Sequence, residues 1–272
     1  MNMNRPKIGI FIIAYNAVNH LIQTISRIPK ETYNEVEEIF VIDDCSKDNT
    51  YYAALGYKHA YGIDKLTVKR NKINHGYGGN QKVGYQYAIE RGLDIVALIH
   101  GDGQYAPERL PDLLAPFRTD NADMVFGSRM SHGREALKGG MPMYKFYGNK
   151  ILSYAQNKMT GLNLSEYHSG YRLYSMHALQ KLPFLNFTNT WHFDTEIILA
   201  MAERKMNIVE QPIPTYYGDE ICHVNGIPYA LNCLKSSYRF YQNRKRNIMT
   251  YPGSYPENLS HLEVIKMAVG EK

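Results

Sequence analysis

The chain has 272 residues, of which 44% are apolar and 21% charged, with a formal net charge of +5. This composition is typical of a globular protein and excludes a disordered or fibrous chain. No apolar run approaches the roughly 18 residues that a transmembrane helix needs, and the first residues lack the apolar stretch of a secretory signal. Three cysteines at no metal-like spacing favour a reducing, cytoplasmic location.

The first half of the chain alternates strand-like and helix-like segments. Apolar runs predict strands at Ile8–Tyr15, Glu38–Asp43, Leu66–Lys69, Ile95–His100 and Met124–Ser128. Helices are predicted between them, at about 18–28, 47–58, 79–91 and 107–117. This alternation predicts an α/β fold with a doubly wound, mostly parallel sheet flanked by helices. Ligands bind such sheets at the carboxyl ends of the strands.

The second half of the chain is less regular. Residues 130–143 are polar and glycine-rich, so we expect a mobile loop near the ligand site. The pattern then predicts helices at about 144–159, 194–206 and 225–246, with a proline-bearing edge strand at 208–214. We expect one domain over residues 1–246, whereas 247–272 form a tail or linker, or begin a further domain.

Acidic residues follow two of the predicted strands where each strand ends. Asp43 and Asp44 follow the second strand, and Asp102 and Gln104 follow the fourth. Side chains two residues apart on an extended segment point the same way, so Asp102 and Gln104 would hold one cation together. The alternative for each acid is a solvated turn or a helix cap.

Six motifs in order carry a family resemblance over about residues 7–215. They are Ile8–Asn16, Asp43-Asp44-x-Ser46-x-Asp48-x-Thr50, Asn74–Asn80, His100-x-Asp102-x-Gln104, Gly127-Ser128-Arg129 and Ser169-Gly170-Tyr171-Arg172. Together they resemble the motifs of family 2 glycosyltransferases of the GT-A fold, in particular the dolichol-phosphate mannose synthase-like branch. The resemblance implies inverting transfer of a sugar from a nucleotide-diphosphate sugar in cell-surface polysaccharide or glycolipid biosynthesis.

The resemblance also implies which residues bind the donor. The nucleotide sugar would be bound by Ala14, Tyr15, Asn16, Asp43, Asp44, Gly76, Gly78, Gly79, His100, Gly101, Asp102 and Arg129. We expect Asp43 to contact the base or ribose. A divalent cofactor, Mn²⁺ or Mg²⁺, would be held by Asp102 and Gln104 and would neutralise charge on the departing diphosphate.

His100 stands where many family members have a carboxylate, and its role is open. Imidazole suits Mn²⁺ or another transition metal better than Mg²⁺, which prefers oxygen ligands. His100 would otherwise donate a hydrogen bond to a phosphate or ribose oxygen, or be a buried histidine at a strand end. The sequence does not choose among these three interpretations.

The acceptor side of the predicted site rests on fewer signals. Asp194 and Glu196 are candidate general bases, although acids in a first helical turn also stabilise the helix dipole. Arg129 is a candidate catalytic cation, and Lys145, Ser169 and Arg172 are candidates for binding the acceptor or a phosphate. Prenyl-phosphate synthases usually carry a cationic segment where this chain has the acidic stretch 216–226. A saccharide and a polyprenyl phosphate therefore both remain open as acceptors.

The predicted helix 226–246 is basic and aromatic, which is typical of helices that lie on an anionic membrane surface. A solvated helix face is the alternative, and no nucleic-acid-binding motif accompanies the patch. We expect peripheral contact with the inner face of the cell membrane, and exposed tyrosines favour a homodimer. Two rival functions are a sugar-phosphate nucleotidyltransferase, which would need a basic loop after the first strand, and a catalytically lapsed sugar-nucleotide-binding module.

Overall fold

Seven strands form one mixed sheet in the computed structural model, which describes residues 5–214 and 225–256. The strands are β1 (Ile8–Ala14), β2 (Glu38–Asp43), β3 (Leu66–Arg70), β4 (Ile95–His100), β5 (Met124–Ser128), β6 (Arg172–Ser175) and β7 (Ile208–Pro212). Their order across the sheet is β3-β2-β1-β4-β6-β5-β7. Strand β6 runs antiparallel to β4 and β5, and the other strand pairs are parallel. The predicted α/β class and mostly parallel sheet are confirmed.

Helices flank this sheet on both faces. Within the described ranges they are α1 (Leu21–Ser26), α2 (Lys30–Glu35), α3 (Thr50–Tyr61), α4 (Gly76–Glu90), α5 (Leu110–Leu114), α6 (Pro116–Thr119), α7 (Glu135–Lys138), α8 (Met143–Thr160), α9 (Met176–Gln180), α10 (Phe193–Glu203) and α11 (Gly226–Lys245). Two short 3₁₀ turns lie at Pro107–Arg109 and Phe184–Asn186. The long predicted helices and the edge position of the last strand are confirmed.

The central strands are buried on both faces, as their unbroken apolar runs predict for a parallel sheet covered by helices. Every residue of β1 and β2 is buried. Because side chains alternate along a strand, Phe11 packs into one apolar core, whereas Ile10 and Ile12 pack into a second core on the opposite face. This two-sided burial fixes the sheet in place and leaves its carboxyl edge to form a site.

Three sequence predictions about secondary structure were wrong. Strand β6 was missed because it has only four residues and lies within a segment interpreted as a site motif. The helix predicted at 107–117 is a 3₁₀ turn followed by two short helices, each with a proline in its first turn. The loop predicted at 130–143 contains α7 and a small apolar cluster that includes Met130, Ala136 and Met141.

Part of the predicted tail packs against the domain. Tyr251 and Tyr255 are buried in the core that α4 and α10 cover, and Arg204 donates hydrogen bonds to the carbonyls of Tyr251 and Gly253, both at 2.7 Å. The domain boundary at 246 stays a prediction. Residues 257–272, for which a linker or further domain was predicted, lie outside the described residues.

Replacing Gly84 with alanine is expected to destabilise the fold. An added Cβ at Gly84 would lie 2.1 Å from Cε1 of Phe11, whose ring stacks on Phe40 with centroids 5.0 Å apart. We expect a loss of about 1–3 kcal/mol in the free energy of unfolding, measured with urea, because overpacking opposes the better helix propensity of alanine. Gly56→Ala in α3 is the matched control: nothing lies within 4 Å of its added Cβ, so stability should stay equal or rise.

Candidate active site

A cleft of about 500 Å³ opens at the carboxyl edge of the sheet, between β1, β4, the start of α4 and the segment 189–191. Eight residues predicted to bind the nucleotide sugar line this cleft: Ala14, Tyr15, Asn16, Asp44, Gly76, His100, Gly101 and Asp102. Other lining residues were not among the predicted site residues: Asn74, Tyr77 and Asn80, which belong to the motif Asn74–Asn80, and also Asn189 and Trp191. Residues as far apart in the chain as Ala14 and Trp191 therefore line one cavity.

The two adjacent acids at the end of β2 are placed differently. Asp43 is fully buried, accepts hydrogen bonds from the backbone and hydroxyl of Ser46, and lies 3.2 Å from Nε of Arg70. Asp44 lines the cleft and accepts hydrogen bonds from Asn71 (2.8 Å) and the backbone of His75 (2.9 Å). Burial raises the pKa of both carboxyls. The predicted base contact of Asp43 stays a prediction, and the geometry favours Asp44 for contact with a ligand.

The glycines near the start of α4 bring its amino end against a neighbouring loop. Gly76 has a φ of +75°, a conformation that favours glycine, and it lines the cleft. An added Cβ at Gly78 would lie 2.5 Å from the carbonyl oxygen of Thr188, and the Gly78 N–H donates to Asn189 (2.8 Å). Gly79 is buried within the helix. The N–H groups of His75, Gly76 and Gly78 already donate to Asp44, Asn74 and Asn189, so what the start of α4 offers a negatively charged ligand is the positive end of its helix dipole.

The predicted metal ligands lie on a turn rather than on an extended strand. Strand β4 ends at His100, and Gly103 has a φ of +79°, so the alternation assumed for Asp102 and Gln104 was wrong. The Gln104 N–H donates to Oδ1 of Asp102 (3.1 Å), and the Asp102 side chain, 41% exposed, lines the cleft. The role of Gln104 as a metal ligand stays a prediction.

The side chains near Asp102 offer too few metal ligands to hold a divalent ion unless a bound molecule or water supplies the others. No cluster of three or more His, Cys, Asp or Glu side chains that would hold a metal occurs within residues 5–214 and 225–256. Oδ2 of Asp102 lies 4.0 Å from Nδ1 of His100, and both atoms are able to bind a cation. The protein would thus supply two ligands, and anionic oxygens or water would supply the rest.

A chain of polar contacts runs from His100 through Tyr77, both of which line the cleft, to the buried Asp194. Nε2 of His100 lies 3.1 Å from the hydroxyl of Tyr77, which donates to Oδ2 of Asp194 at 2.8 Å. Gln81 donates to Oδ1 of Asp194 (3.1 Å), and Nε of Arg172 lies 3.5 Å from Oδ2. Burial lowers the pKa of His100, which favours its neutral form. Tyr77 was missed, and its position directly after Gly76 was the available signal.

The two candidate general bases, Asp194 and Glu196, do not line the cleft. Both carboxylate oxygens of Asp194 are occupied by the contacts just described. Glu196 accepts a hydrogen bond from the backbone of Thr188 (2.8 Å) and lies 3.7 Å from Arg239. It lines a second, polar cavity of about 670 Å³ between α10 and α11. The predicted general-base roles of both acids stay predictions, and the geometry gives Asp194 a positioning role.

The predicted phosphate-binding cations are also held by internal contacts. The guanidinium of Arg129 lies 2.7 Å from Oε2 of the buried Glu166, whose other oxygen accepts the Arg129 backbone N–H at 2.5 Å. Arg172 has no exposed surface and donates to the carbonyls of Ser169 (2.8 Å) and Tyr167 (2.7 Å). Lys145 is half-buried on α8. Phosphate or acceptor binding by Arg129, Lys145, Ser169 and Arg172 stays a prediction.

An aromatic pair forms one wall of the cleft. Trp191, which is 37% exposed, stacks on Tyr77 with ring centroids 4.7 Å apart and planes at 26°. The loop that carries Trp191 is held by the buried Lys82, which donates to the carbonyl of Phe187 and to Oδ1 of Asn189 at 2.6 Å. Burial lowers the pKa of Lys82 to about 8. A flat, half-exposed aromatic face of this kind can stack on a sugar or base.

Replacing Gly170 with alanine is expected to displace His100. An added Cβ would lie 2.5 Å from Nε2 and Cε1 of His100 and 3.1 Å from the Tyr77 hydroxyl. We expect the imidazole to lose its bond to Tyr77, and stability to fall by about 1–3 kcal/mol through overpacking. The NMR signals of a ¹⁵N-histidine-labelled sample report the change, and Gly148→Ala, with no atom within 4 Å of its added Cβ, is the control.

A mostly parallel sheet whose carboxyl edge combines acids with a helix start is typical of nucleotide-binding α/β proteins. The family model for glycosyl transferase family 2 matches residues 9–183, and the chain belongs to this family. It is 30% identical over 207 residues to an undecaprenyl-phosphate mannosyltransferase of Micrococcus luteus, covering 74% of this chain and 80% of that protein. It is 28% identical over 220 residues to a UDP-N-acetylglucosamine–dolichyl-phosphate N-acetylglucosaminyltransferase of Methanococcus voltae, covering 77% and 86%.

The fold is similar to that of glucosyl-3-phosphoglycerate synthase from Mycobacterium tuberculosis. Its structure with UDP superposes with a TM-score of 0.59 at 16% identity, covering 90% of this chain and 81% of that one. A structure of the same enzyme with Mn²⁺, UDP and phosphoglyceric acid has a TM-score of 0.59 at 15% identity, covering 94% and 88%. The predicted GT-A fold and the dolichol-phosphate mannose synthase-like branch are confirmed. None of the helices in the described ranges is long and apolar enough to cross a bilayer.

Proposed function

We propose that this chain transfers a hexosyl-type sugar, with inversion, from a nucleotide-diphosphate sugar to a polyprenyl phosphate at a membrane surface. The observation that carries the proposal is the cleft at the sheet edge, which brings Asp44, Asp102 and the amino end of α4 together in a family 2 glycosyltransferase. Two relatives are named as transferases acting on dolichyl and undecaprenyl phosphate, which supports this acceptor class.

Each part of the cleft matches one part of the donor. Asp44 would accept hydrogen bonds from the ribose or base, and the amino end of α4 would face the diphosphate. Asp102 would hold a divalent ion, whose positive charge stabilises the departing nucleoside diphosphate. The Mn²⁺ and UDP in a protein of the same fold support a metal and a nucleoside diphosphate as ligands.

The acceptor is better explained as a phosphate than as a hydroxyl. A hydroxyl needs a general base to take its proton, whereas a phosphate monoester is already an anionic nucleophile. The carboxylates that line the cleft, among the described residues, are Asp44 and Asp102, and both are assigned to the donor. A phosphate oxygen would form the new bond to the anomeric carbon as the bond to the diphosphate breaks on the opposite side, which inverts that centre. The acidic stretch 216–226, which spoke against this acceptor, lies largely outside the described residues.

An apolar and basic surface would hold the enzyme at the bilayer. Exposed side chains recur at helical spacing on α8 and on α11, which pack against each other, and we call them the α8–α11 face: Tyr144, Tyr147, Ile151, Tyr154, Ile227, Leu231 and Tyr238. The same two helices also carry exposed cations: Lys158 on α8, Lys235 and Lys245 on α11, and Arg246 directly after α11. Aromatic and aliphatic side chains beside cations suit an anionic lipid interface.

Vesicle binding tests this surface. Leu231→Glu and Tyr154→Glu are expected to weaken co-sedimentation with vesicles that contain phosphatidylglycerol, whereas Tyr61→Glu, at an exposed tyrosine on α3, should not. Binding that is equal for all variants would contradict the membrane role of the α8–α11 face. A homodimer that these substitutions dissociate, seen by sedimentation equilibrium without lipid, would assign the face to a second copy instead.

Nucleotide titration tests the donor proposal. Calorimetry with UDP, GDP, dTDP and CDP, each with Mn²⁺, Mg²⁺ or chelator, should show metal-dependent binding of one nucleotide. Sugar transfer from the corresponding nucleotide sugar to a short-chain polyprenyl phosphate should then exceed transfer to free saccharides. Binding without turnover on any acceptor would favour the lapsed binding module, and no binding at all would contradict the donor site.

A further inference from the structure

The hydrogen bonds of Tyr77 determine which nitrogen of His100 carries its proton. A tyrosine hydroxyl has one hydrogen, and Tyr77 donates it to Oδ2 of Asp194, a carboxylate that also pairs with the buried Arg172. Tyr77 can then only accept from Nε2 of His100, 3.1 Å away. In neutral His100 the hydrogen is therefore on Nε2, and Nδ1 presents a lone pair.

That lone pair faces another acceptor. Nδ1 of His100 lies 4.0 Å from Oδ2 of Asp102, and no hydrogen bond to Nδ1 is present within residues 5–214 and 225–256. With the Nε2–H form, no proton lies between the nitrogen and the carboxylate. Two facing acceptors at a cleft are stable together when a cation lies between them, and both atoms belong to ligands that bind metals.

The imidazole is also held in position by its surroundings. The ring packs edge-to-face against Tyr105 (centroids 5.1 Å apart) and Tyr77 (5.5 Å), and Gly170 leaves no room beside Nε2 and Cε1. Rotation that would turn Nδ1 away from Asp102 is therefore blocked by packing. Fixing a ligand histidine through the hydrogen bond of its other nitrogen is the usual arrangement around protein metal sites.

We propose that Nδ1 of His100 binds the divalent ion together with Asp102, and that this nitrogen ligand makes the site prefer Mn²⁺ over Mg²⁺. The proposal rests on the proposed function, since the remaining ligands would be the oxygens of the donor diphosphate. Nitrogen ligands favour transition metals, whereas Mg²⁺ prefers oxygen and dehydrates reluctantly. Tyr77, Asp194 and Arg172 then act as positioning residues for a metal ligand.

Pulsed electron paramagnetic resonance of bound Mn²⁺ tests the nitrogen ligand directly. The full chain is loaded with Mn²⁺ and whichever of UDP, GDP, dTDP or CDP binds most tightly, and the echo is examined for modulation by a coordinated ¹⁴N nucleus. We expect that modulation in the unmodified chain. It should be lost in His100→Asp, which replaces the nitrogen ligand with an oxygen ligand. Bound Mn²⁺ without ¹⁴N modulation in the unmodified chain would overturn the proposal and leave the donor site standing.

Affinity measurements test the positioning part. Tyr77→Phe removes the group that holds the Nε2–H form, so Mn²⁺ affinity should fall about 10-fold or more, as for other lost partners of metal ligands. Tyr105→Phe is the matched control, because its hydroxyl bonds the Gly170 N–H (2.6 Å) and no nitrogen of His100. His100→Asp should lower the ratio of Mn²⁺ to Mg²⁺ affinity. An unchanged ratio would contradict metal selection by His100, and equal losses in Tyr77→Phe and Tyr105→Phe would contradict the role of Tyr77.

Discussion

Asp102→Ala is expected to abolish metal-dependent nucleotide binding while leaving the fold intact. Asp102 is the carboxylate that lines the cleft at the end of β4, and no cluster of three or more metal-binding side chains occurs in the described ranges. Removing a residue that hydrogen-bonds a metal ligand lowers metal affinity about 10–100-fold. Removing the charged metal ligand itself should therefore lower it at least about 100-fold. Calorimetry with and without Mn²⁺ measures the effect.

Two comparisons make this test specific. Asp112→Ala removes an equally half-exposed carboxylate on α5, where Asp112 pairs with Arg109 at 2.9 Å. Such exposed pairs contribute roughly 0–1 kcal/mol, so both stability and nucleotide binding should be nearly unchanged. If Asp102→Ala binds the nucleotide as tightly as the unmodified chain, both with and without Mn²⁺, then Asp102 holds no metal.

The fold was largely readable from the sequence because its signals are local. Unbroken apolar runs such as Ile8–Ala14 mark strands buried on both faces, and glycine and proline mark where elements end. Strand β6 carries no such signal: with four residues it depends on pairing with β4 and β5, which the sequence does not display. Its antiparallel direction follows from the same tertiary pairing.

The site was readable where residues lie at strand ends and unreadable where long-range contacts decide their role. The motif order predicted that His100 and Asp102 would meet Asp44 and Gly76 in one cleft. A glycine turn after β4 instead separates Asp102 from Gln104, because local backbone geometry overrides the alternation of a strand.

The buried arginine shows the same limit. Arg172 was predicted to bind phosphate because it ends a signature motif and arginine suits phosphate oxygens. Its guanidinium is instead enclosed by Asp194 and the carbonyls of Tyr167 and Ser169. The contact with Asp194 joins residues 22 apart in sequence across β6 and α10, and no spacing rule predicts it. The sequence therefore did not reveal the interior contacts of Arg172, and its predicted phosphate contact stays a prediction.

Arg172→Met is expected to destabilise the protein strongly. The substitution leaves the carboxylate of Asp194 buried without its cation, and removing one partner of a buried ion pair costs about 3–5 kcal/mol. Urea unfolding of the variant should show this loss. Asp194→Asn keeps the side-chain shape, an acceptor for Tyr77 and the three backbone carbonyls that accept from Arg172, so it should lose less.

The double variant Arg172→Met/Asp194→Leu separates the cost of an unpaired charge from the loss of packing. Replacing both members of a buried pair with apolar residues is often neutral or stabilising, so the double variant should recover part of the stability lost in Arg172→Met. Tyr77 would then have no carboxylate to receive its proton and would be free to donate to Nε2 of His100, reversing the tautomer. We therefore expect recovered folding with weakened Mn²⁺ binding. A double variant with no recovered stability would contradict the ion-pair argument, and one with full Mn²⁺ affinity would separate Asp194 from the positioning of His100.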